Sequence, residues 1–194
     1  MNSEQLHKTL RASQYAVLVI EKHKELIEHD YAFDAFLKPL SRTQIANIVD
    51  ESLNEITDEN QWMRVIRILR ARLMFRWIWQ DANQLTNVKQ LTQELSDFAD
   101  LAVCAAKNYA RTVLVTKHGE PIGYGGKVQD LIVIAMGKHG AQELNLSSDI
   151  DLIFAFDEQG ETNGRKCIDV QQFCILWGQK LIYLLDHITA DGFV

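Results

Sequence analysis

Only two prolines, Pro39 and Pro121, interrupt the 194 residues, and the apolar pattern changes its period at the second. A proline removes a backbone donor and clashes with the preceding helical turn, so long proline-free stretches leave helix open to the chain. Upstream of Pro121 apolar residues recur at steps of three and four; downstream they gather into short β-branched runs. Glycine is also scarce, at 10, which disfavours a many-turned sandwich or barrel. The segment HGEPIGYGG thus separates a helical region, residues 1–120, from a different kind of sequence over 121–194. No internal repeat or low-complexity tract is evident.

Four helices are expected in the first region. Ser3 to Asp30 reads as one, with Leu6, Leu10, Val17, Ile20 and Ile27 on a stripe, and Pro39 closes it. Ser41 and Gln44 have capping-box spacing and open a second through Ile45, Ile48, Val49, Leu53 and Ile56. Asp58 and Gln61 signal a third, which runs into the aromatic cluster around Trp77, and Thr86 opens a long fourth that stops before Gly119. The Trp, Phe and Leu stripe is read as core. Beyond Gly126, DLIVIAM (Asp130 to Met136) and IDLIFAF (Ile150 to Phe156) are runs of strand length suited to burial. DEQGETNG reads as a turn, and Asp169 to His187 as an amphipathic helix.

Composition removes several classes of function. Hydrophobic residues at 47% and charged residues at 24% are an ordinary globular balance. A net charge of −6 and a pI near 5.5 argue against a general nucleic-acid binder. No run has the ~18 apolar residues that cross a bilayer, and no apolar segment near the N-terminus resembles a signal peptide. Cys104, Cys167 and Cys174 are odd in number and lack CxxC spacing, which fits packed thiols in a reducing cytoplasm.

The chemistry is concentrated in IAMGKHGAQELNLSSDIDLIFAF. Asp149 and Asp151 lie two apart at the start of a strand, so their side chains share a face. Adjacent carboxylates repel unless a cation lies between them, and hard oxygen ligands suit Mg²⁺ or Mn²⁺. Gly137 directly follows the first strand, where a glycine lets backbone amides approach a phosphate and a following helix start adds partial positive charge. Strand, glycine turn, short helix and Ser-Asp-x-Asp together read as a phosphate cradle facing a metal site. Asp149 and Asp151 are the candidate catalytic residues and metal ligands; Gly137, Lys138, Ser147 and Ser148 are the candidate nucleotide- and phosphate-binding residues. A DxD motif also occurs at the metal site of nucleotide-sugar glycosyltransferases, but the spacing from Gly137 argues against that class.

This pattern resembles the polymerase-β-like nucleotidyltransferase superfamily, and more narrowly the bifunctional glutamine-synthetase adenylyltransferase/adenylyl-removing enzymes. The matching stretches are Gln129 to Phe156, ELSDFAD from Glu94 to Asp100, LRARLMFRWIWQD from Leu69 to Asp81, and the closing DGFV from Asp191. The form MGK…ELN..SDIDLIF is similar to the N-terminal catalytic copy of that two-copy family. The resemblance implies an α+β fold: long N-terminal helices, then a partial nucleotidyltransferase core over 121–194, truncated before a third metal-binding carboxylate expected beyond Val194. It implies a cytoplasmic enzyme of nitrogen regulation that removes AMP from a tyrosine of glutamine synthetase by phosphorolysis, with phosphate consumed and ADP released. The other copy adds AMP from ATP. Glutamine synthetase and the PII nitrogen-signalling protein are the implied partners, with neither nucleic acid nor membrane. A piece with an incomplete site is expected to be inactive alone, or to act as a non-catalytic nucleotide-binding or interaction module. Two positions depart from the family pattern: His139 stands where an apolar residue is usual, and Ala141 replaces the second glycine of a pair.

Other residues have plainer readings. Arg64, Arg67, Arg70, Arg72 and Arg76 read as a solvated basic face, with an anion- or partner-docking surface as the alternative. Glu143 is placed in the short helix in a structural role. His118, His139 and His187 have no metal-ligand spacing and are read as surface or partly buried.

Overall fold

The computed structural model describes residues 3–32 and 38–194. Five helices come first: α1 (Ser3–Ala12), α2 (Gln14–Ala32), α3 (Arg42–Leu53), α4 (Glu59–Ala82) and α5 (Val88–His118). There follow β1 (Pro121–Gly123), β2 (Ile132–Ala135), α6 (Gly137–Gly140), β3 (Leu152–Ala155), β4 (Gly160–Thr162) and α7 (Val170–Asp186). Helices with two small antiparallel sheets, β1 with β4 and β2 with β3, make the chain α+β. The chain divides into two compact units, residues 1–99 with 142–149 and 194, and residues 100–141 with 150–193.

In the first unit the local signals hold. Ser41 caps α3 in a complete capping box with Gln44, and the Asp58 carboxylate accepts from the Gln61 N–H at 2.8 Å to start α4. The expected single helix over Ser3–Asp30 is instead two. Ser13 Oγ accepts from the Ala16 N–H and starts α2, the competition a serine hydroxyl offers to a continuous helix. A non-helical His23 kinks α2 further along. The stretch that Pro39 was expected to close, 33–37, lies outside the described residues. The start of α5 also moves: Asn87, not Thr86, caps it, its Oδ1 accepting from the Gln90 N–H at 3.0 Å. The aromatic residues of α4 are core as expected, with Trp62, Phe75, Trp77 and Trp79 all buried.

The arginine-rich helix departs from both of its readings. Arg67 and Arg76 are 1% and 3% exposed, so they belong neither to a solvated face nor to a docking surface. Arg67 Nη1 donates to the Met63 carbonyl one turn back, at 2.8 Å. Arg76 Nη1 donates to Glu94 Oε2 at 2.6 Å, the Trp77 indole N–H donates to the same oxygen at 2.9 Å, and the Leu40 N–H reaches Oε1 at 3.2 Å. Arg76 Nη2 also donates to the Lys38 carbonyl. A buried carboxylate is tolerated only when its lone pairs are filled in this way. Arg76→Ala or Glu94→Ala, each leaving one buried charge without its counter-charge, should lower the unfolding free energy in urea by about 3–5 kcal/mol. Arg64→Ala, at an exposed position, should change it by less than about 0.5 kcal/mol.

In the second unit α7 supplies the core through Val170, Phe173, Trp177, Leu181 and Leu184, all 0% exposed. Asp169 caps it, accepting from the Gln172 N–H at 2.7 Å, and the Trp177 indole N–H donates to the Lys107 carbonyl of α5 at 2.8 Å. Gly178 lets α7 approach β3 closely: a Cβ there would lie 3.2 Å from the Phe154 ring. The segment DEQGETNG, expected as a turn, contains strand β4, which pairs with β1 as Pro121↔Thr162 and Gly123↔Gly160. Its strand character comes from this long-range pairing, and Gly160 is needed because a Cβ would lie 2.0 Å from the Ile122 carbonyl oxygen.

The two apolar strands are less buried than expected. Ile132, Ile134 and Ile153 are 45%, 46% and 49% exposed, because a two-stranded ladder has only one face against α7. The thiol and histidine expectations also change. Cys104 and Cys167 are exposed and only Cys174 is buried; burial, with the Asp130 carboxylate adding to it, pushes the Cys174 thiol up to about 11. His118 and His139 are both buried, the Nδ1–H of His118 donating to the Lys166 carbonyl. The thiolate is the reactive form, so an aromatic disulfide reagent at pH 8 should titrate Cys104 and Cys167 in a fast phase. Cys174 should react only on unfolding, and Cys174→Ala should leave the fast phase unchanged.

Candidate functional site

The register of β2 on β3 builds the site in the second unit. Ile134 lies opposite Ile153 and Ala135 opposite Leu152, and the Met136 N–H continues the ladder by donating to the Asp151 carbonyl at 2.9 Å. The chain must then turn at once. Gly137 does so with φ +55°, a left-handed conformation that glycine adopts without the Cβ penalty. A Cβ at Gly137 would lie 3.5 Å from Asp151 Oδ2, so the carboxylate lies directly beside the turn. Residues alternate across a strand, which puts Asp151 on the face of Ile153 and away from the Phe154 face that meets α7. Asp151 is exposed, and its carboxylate makes no hydrogen bond or ion pair among the described residues. Lys138 follows on the turn and is exposed.

The helix after the turn, α6, has four residues. One turn of helix carries little macrodipole, so any anion binding expected from the short helix would fall to individual backbone amides and Lys138. Gly140 explains why the turn needs a second glycine: a Cβ there would lie 2.5 Å from the Ala135 carbonyl oxygen. Ala141 has φ −85° and ψ −3°, ordinary for any L-residue, so the departure from a glycine pair leaves the backbone undisturbed. His139, the other departure, is 2% exposed and its Nε2–H donates to Asp100 Oδ1 of α5 at 2.8 Å.

Ser147, Ser148 and Asp149 belong to the first unit, in the segment 142–149. Here the organising residue is one that sequence reasoning missed. Asn145 Oδ1 accepts from the Ser147 N–H at 3.0 Å, from the Ser147 hydroxyl at 3.1 Å and from the Ser148 hydroxyl at 3.0 Å. The Asn145 N–H in turn donates to Ser148 Oγ. The legible signal was the Asn-x-Ser spacing, which favours an Asx turn. Both serine hydroxyl protons are thus directed at Asn145, so a phosphate oxygen would compete with that amide for them. Glu143, expected in the short helix, lies beyond it and is exposed.

The two candidate metal-ligating carboxylates fall in different units, Asp149 in the first and Asp151 in the second. Asp149 and Asp151, separated in sequence by Ile150 alone, are both exposed carboxylates with no hydrogen-bond or ion-pair partner among the described residues, so their oxygen lone pairs are open. Among the described residues no group of three or more His, Cys, Asp or Glu side chains could hold a metal ion.

The two positions of the glycine pair make a direct test of this turn. Gly140→Ala should destabilise the chain by about 1–3 kcal/mol, because the Ala135 carbonyl is backbone and cannot move aside freely. Ala141→Gly should cost less than about 1 kcal/mol, through the unfolded state alone. Urea denaturation of both variants measures the contrast.

The class the fold defines is α+β, with a left-handed glycine turn after β2 beside the exposed Asp151. Comparison with known proteins gives the family. The family model for glutamate-ammonia ligase adenylyltransferase matches residues 3–194. A bifunctional glutamine synthetase adenylyltransferase/adenylyl-removing enzyme of Acinetobacter baylyi is 74% identical over 194 residues, covering 100% of this chain and 21% of that protein. Proteins of the same name from Thioalkalivibrio sulfidiphilus and Hahella chejuensis are 37% and 39% identical over 98% and 94% of the chain, or 20% and 19% of their own lengths. The chain belongs to the glutamate-ammonia ligase adenylyltransferase family. It spans about a fifth of the length of the curated relatives it matches, in their N-terminal region.

Proposed function

We propose that this chain supplies the metal- and phosphate-handling part of an adenylyl-removing site, with residues 121–194 as part of a nucleotidyltransferase core and residues 1–120 as its helical lead-in. The reaction is removal of AMP from a glutamine synthetase tyrosine by phosphorolysis. An oxygen of inorganic phosphate bonds to the AMP phosphorus, the bond from that phosphorus to the tyrosine oxygen breaks, the tyrosine oxygen takes up a proton, and ADP leaves. The parent protein would also carry the opposite, ATP-consuming activity. It would act in the cytoplasm on glutamine synthetase, under the control of the PII nitrogen-signalling protein.

The observation that supports this reading most directly is the exposed Asp151 carboxylate beside the left-handed Gly137 turn, with no partner of its own among the described residues. Asp149 and Asp151 would hold Mg²⁺ or Mn²⁺, which when bound neutralises charge on the phosphoryl oxygens and the leaving oxygen. Gly137 leaves the backbone open to a phosphate oxygen where a side chain would stand. Lys138 brings a positive charge on a mobile stem, which suits phosphate as a point-charge partner. The Ser147 and Ser148 hydroxyls, held ready by Asn145, would exchange that partner for a phosphate oxygen on binding.

Asp149→Asn and Asp151→Asn should each weaken Mg²⁺–ADP binding at least tenfold by isothermal titration. Neither should lower the melting temperature, because removing one of two neighbouring negative charges relieves repulsion in the apo protein. Unchanged affinity in both variants would remove the metal site and leave a protein-interaction module as the better reading.

A further inference from the structure

Helix α6 is too short to hold itself. Its four residues close two hydrogen bonds, from the Gly140 N–H to the Met136 carbonyl at 3.0 Å and from the Ala141 N–H to the Gly137 carbonyl at 3.1 Å. An isolated turn of this kind does not offset the cost of nucleating a helix, and its first residue is a left-handed glycine. Something outside the turn must fix it. On one side that is the close approach of Gly140 to the Ala135 carbonyl. On the other it is His139, whose ring is 2% exposed and whose Nε2 lies 2.8 Å from Asp100 Oδ1. An ionised carboxylate only accepts, so Nε2 carries the proton. Asp100 stands on α5, a helix of 31 residues, and both residues belong to the second unit. A buried polar ring is retained at a net gain only if its hydrogen bond is made, and this one joins the one-turn segment to α5 within the second unit.

We propose that Asp100 and His139 are positioning residues: their hydrogen bond holds the Gly137–Gly140 turn in the geometry that receives the phosphate end of a nucleotide. The proposal rests on the reading of Gly137 and Lys138 as phosphate-binding and deepens it, naming what fixes that turn. It also gives the departure at His139 a role, since an apolar side chain there could fill the volume but could not make a directional bond to Asp100. Neither residue touches the reacting groups; both act through the backbone of the turn.

The test compares the wild-type chain with His139→Leu, His139→Gln and Asp100→Ala. Leucine keeps the buried volume without the donor, and glutamine restores an N–H donor on a side chain of similar reach. Amide hydrogen exchange by NMR is read at Gly140 and Ala141, with Ile134 and Phe154 of the β2–β3 ladder as internal controls. His139→Leu and Asp100→Ala are each expected to speed exchange at Gly140 and Ala141 at least tenfold with the controls unchanged, and His139→Gln to stay within threefold of wild type. In the same samples Mg²⁺–ADP affinity should fall at least tenfold in the first two variants and be retained in His139→Gln. Unchanged exchange at Gly140 and Ala141, or equal acceleration of the controls, overturns the positioning role. A loosened turn with unaltered Mg²⁺–ADP affinity overturns its link to phosphate while the metal site stands. Failure of the wild-type chain to bind Mg²⁺–ADP overturns the reading of the site and this link with it, and the exchange data then judge the anchoring of the turn by itself.

Discussion

The antiparallel register of β2 on β3 is the constraint from which the candidate site follows. With Ile134 opposite Ile153, the ladder reaches its end at the Met136–Asp151 hydrogen bond, and the chain leaving β2 must reverse beside Asp151. Shifting the register by one residue would move every side chain to the opposite face, carrying Asp151 from the open face to the one that meets α7. The register is secured by the covered face, where Phe154 rests against Gly178. A Cβ at position 178 would stand 3.2 Å from the Phe154 ring, so the ring would have to give by a few tenths of an ångström for α7 to keep its distance. Packing on one face of a small sheet thus decides what chemistry is presented on the other.

In the first unit a different problem is solved in a different way. The Glu94 carboxylate is buried and accepts from three donors, on Arg76, Trp77 and Leu40, while the Arg76 guanidinium also donates to the Lys38 carbonyl. Such a cluster adds little over a well-packed apolar core of equal volume, but breaking it leaves a charge without solvent. Its effect is to fix the register of α4 against the beginning of α5 and the chain before α3. The arginines of α4 illustrate how a basic run can serve the interior, through a carbonyl one turn back for Arg67 and a carboxylate for Arg76.

What the sequence made legible was local. Ser41 with Gln44, Asp58 with Gln61, and Asp169 ahead of α7 announce helix starts because a cap needs only neighbours three residues away. The left-handed turn at Gly137 was readable for the same reason, and family membership was readable from several short stretches spread along the chain. What could not be read depends on residues distant in the chain. Arg76 looks like a surface cation until Glu94 is placed beside it. The segment containing Gly160 looks like a turn until β1 pairs with it. His139 looks like an unexplained substitution until Asp100, 39 positions earlier, supplies a carboxylate. Ser13 and Asn87 show a finer limit: several polar residues near a helix end could cap it, and spacing in sequence does not say which one accepts the backbone N–H.

The acidic entry to β3 is proposed to serve adenylyl removal from a protein tyrosine. Its most direct test is phosphate-dependent ADP release from adenylylated glutamine synthetase, by a polypeptide that carries this segment at the full length of its relatives. Rates for the parent sequence and for Asp151→Asn are compared at saturating phosphate. Release should require both phosphate and a divalent cation and should fall by about a thousandfold in the variant, since positioning and charge neutralisation supply most of the catalysis in phosphoryl-group chemistry. Release that persists within tenfold of the parent rate in Asp151→Asn would contradict the proposal.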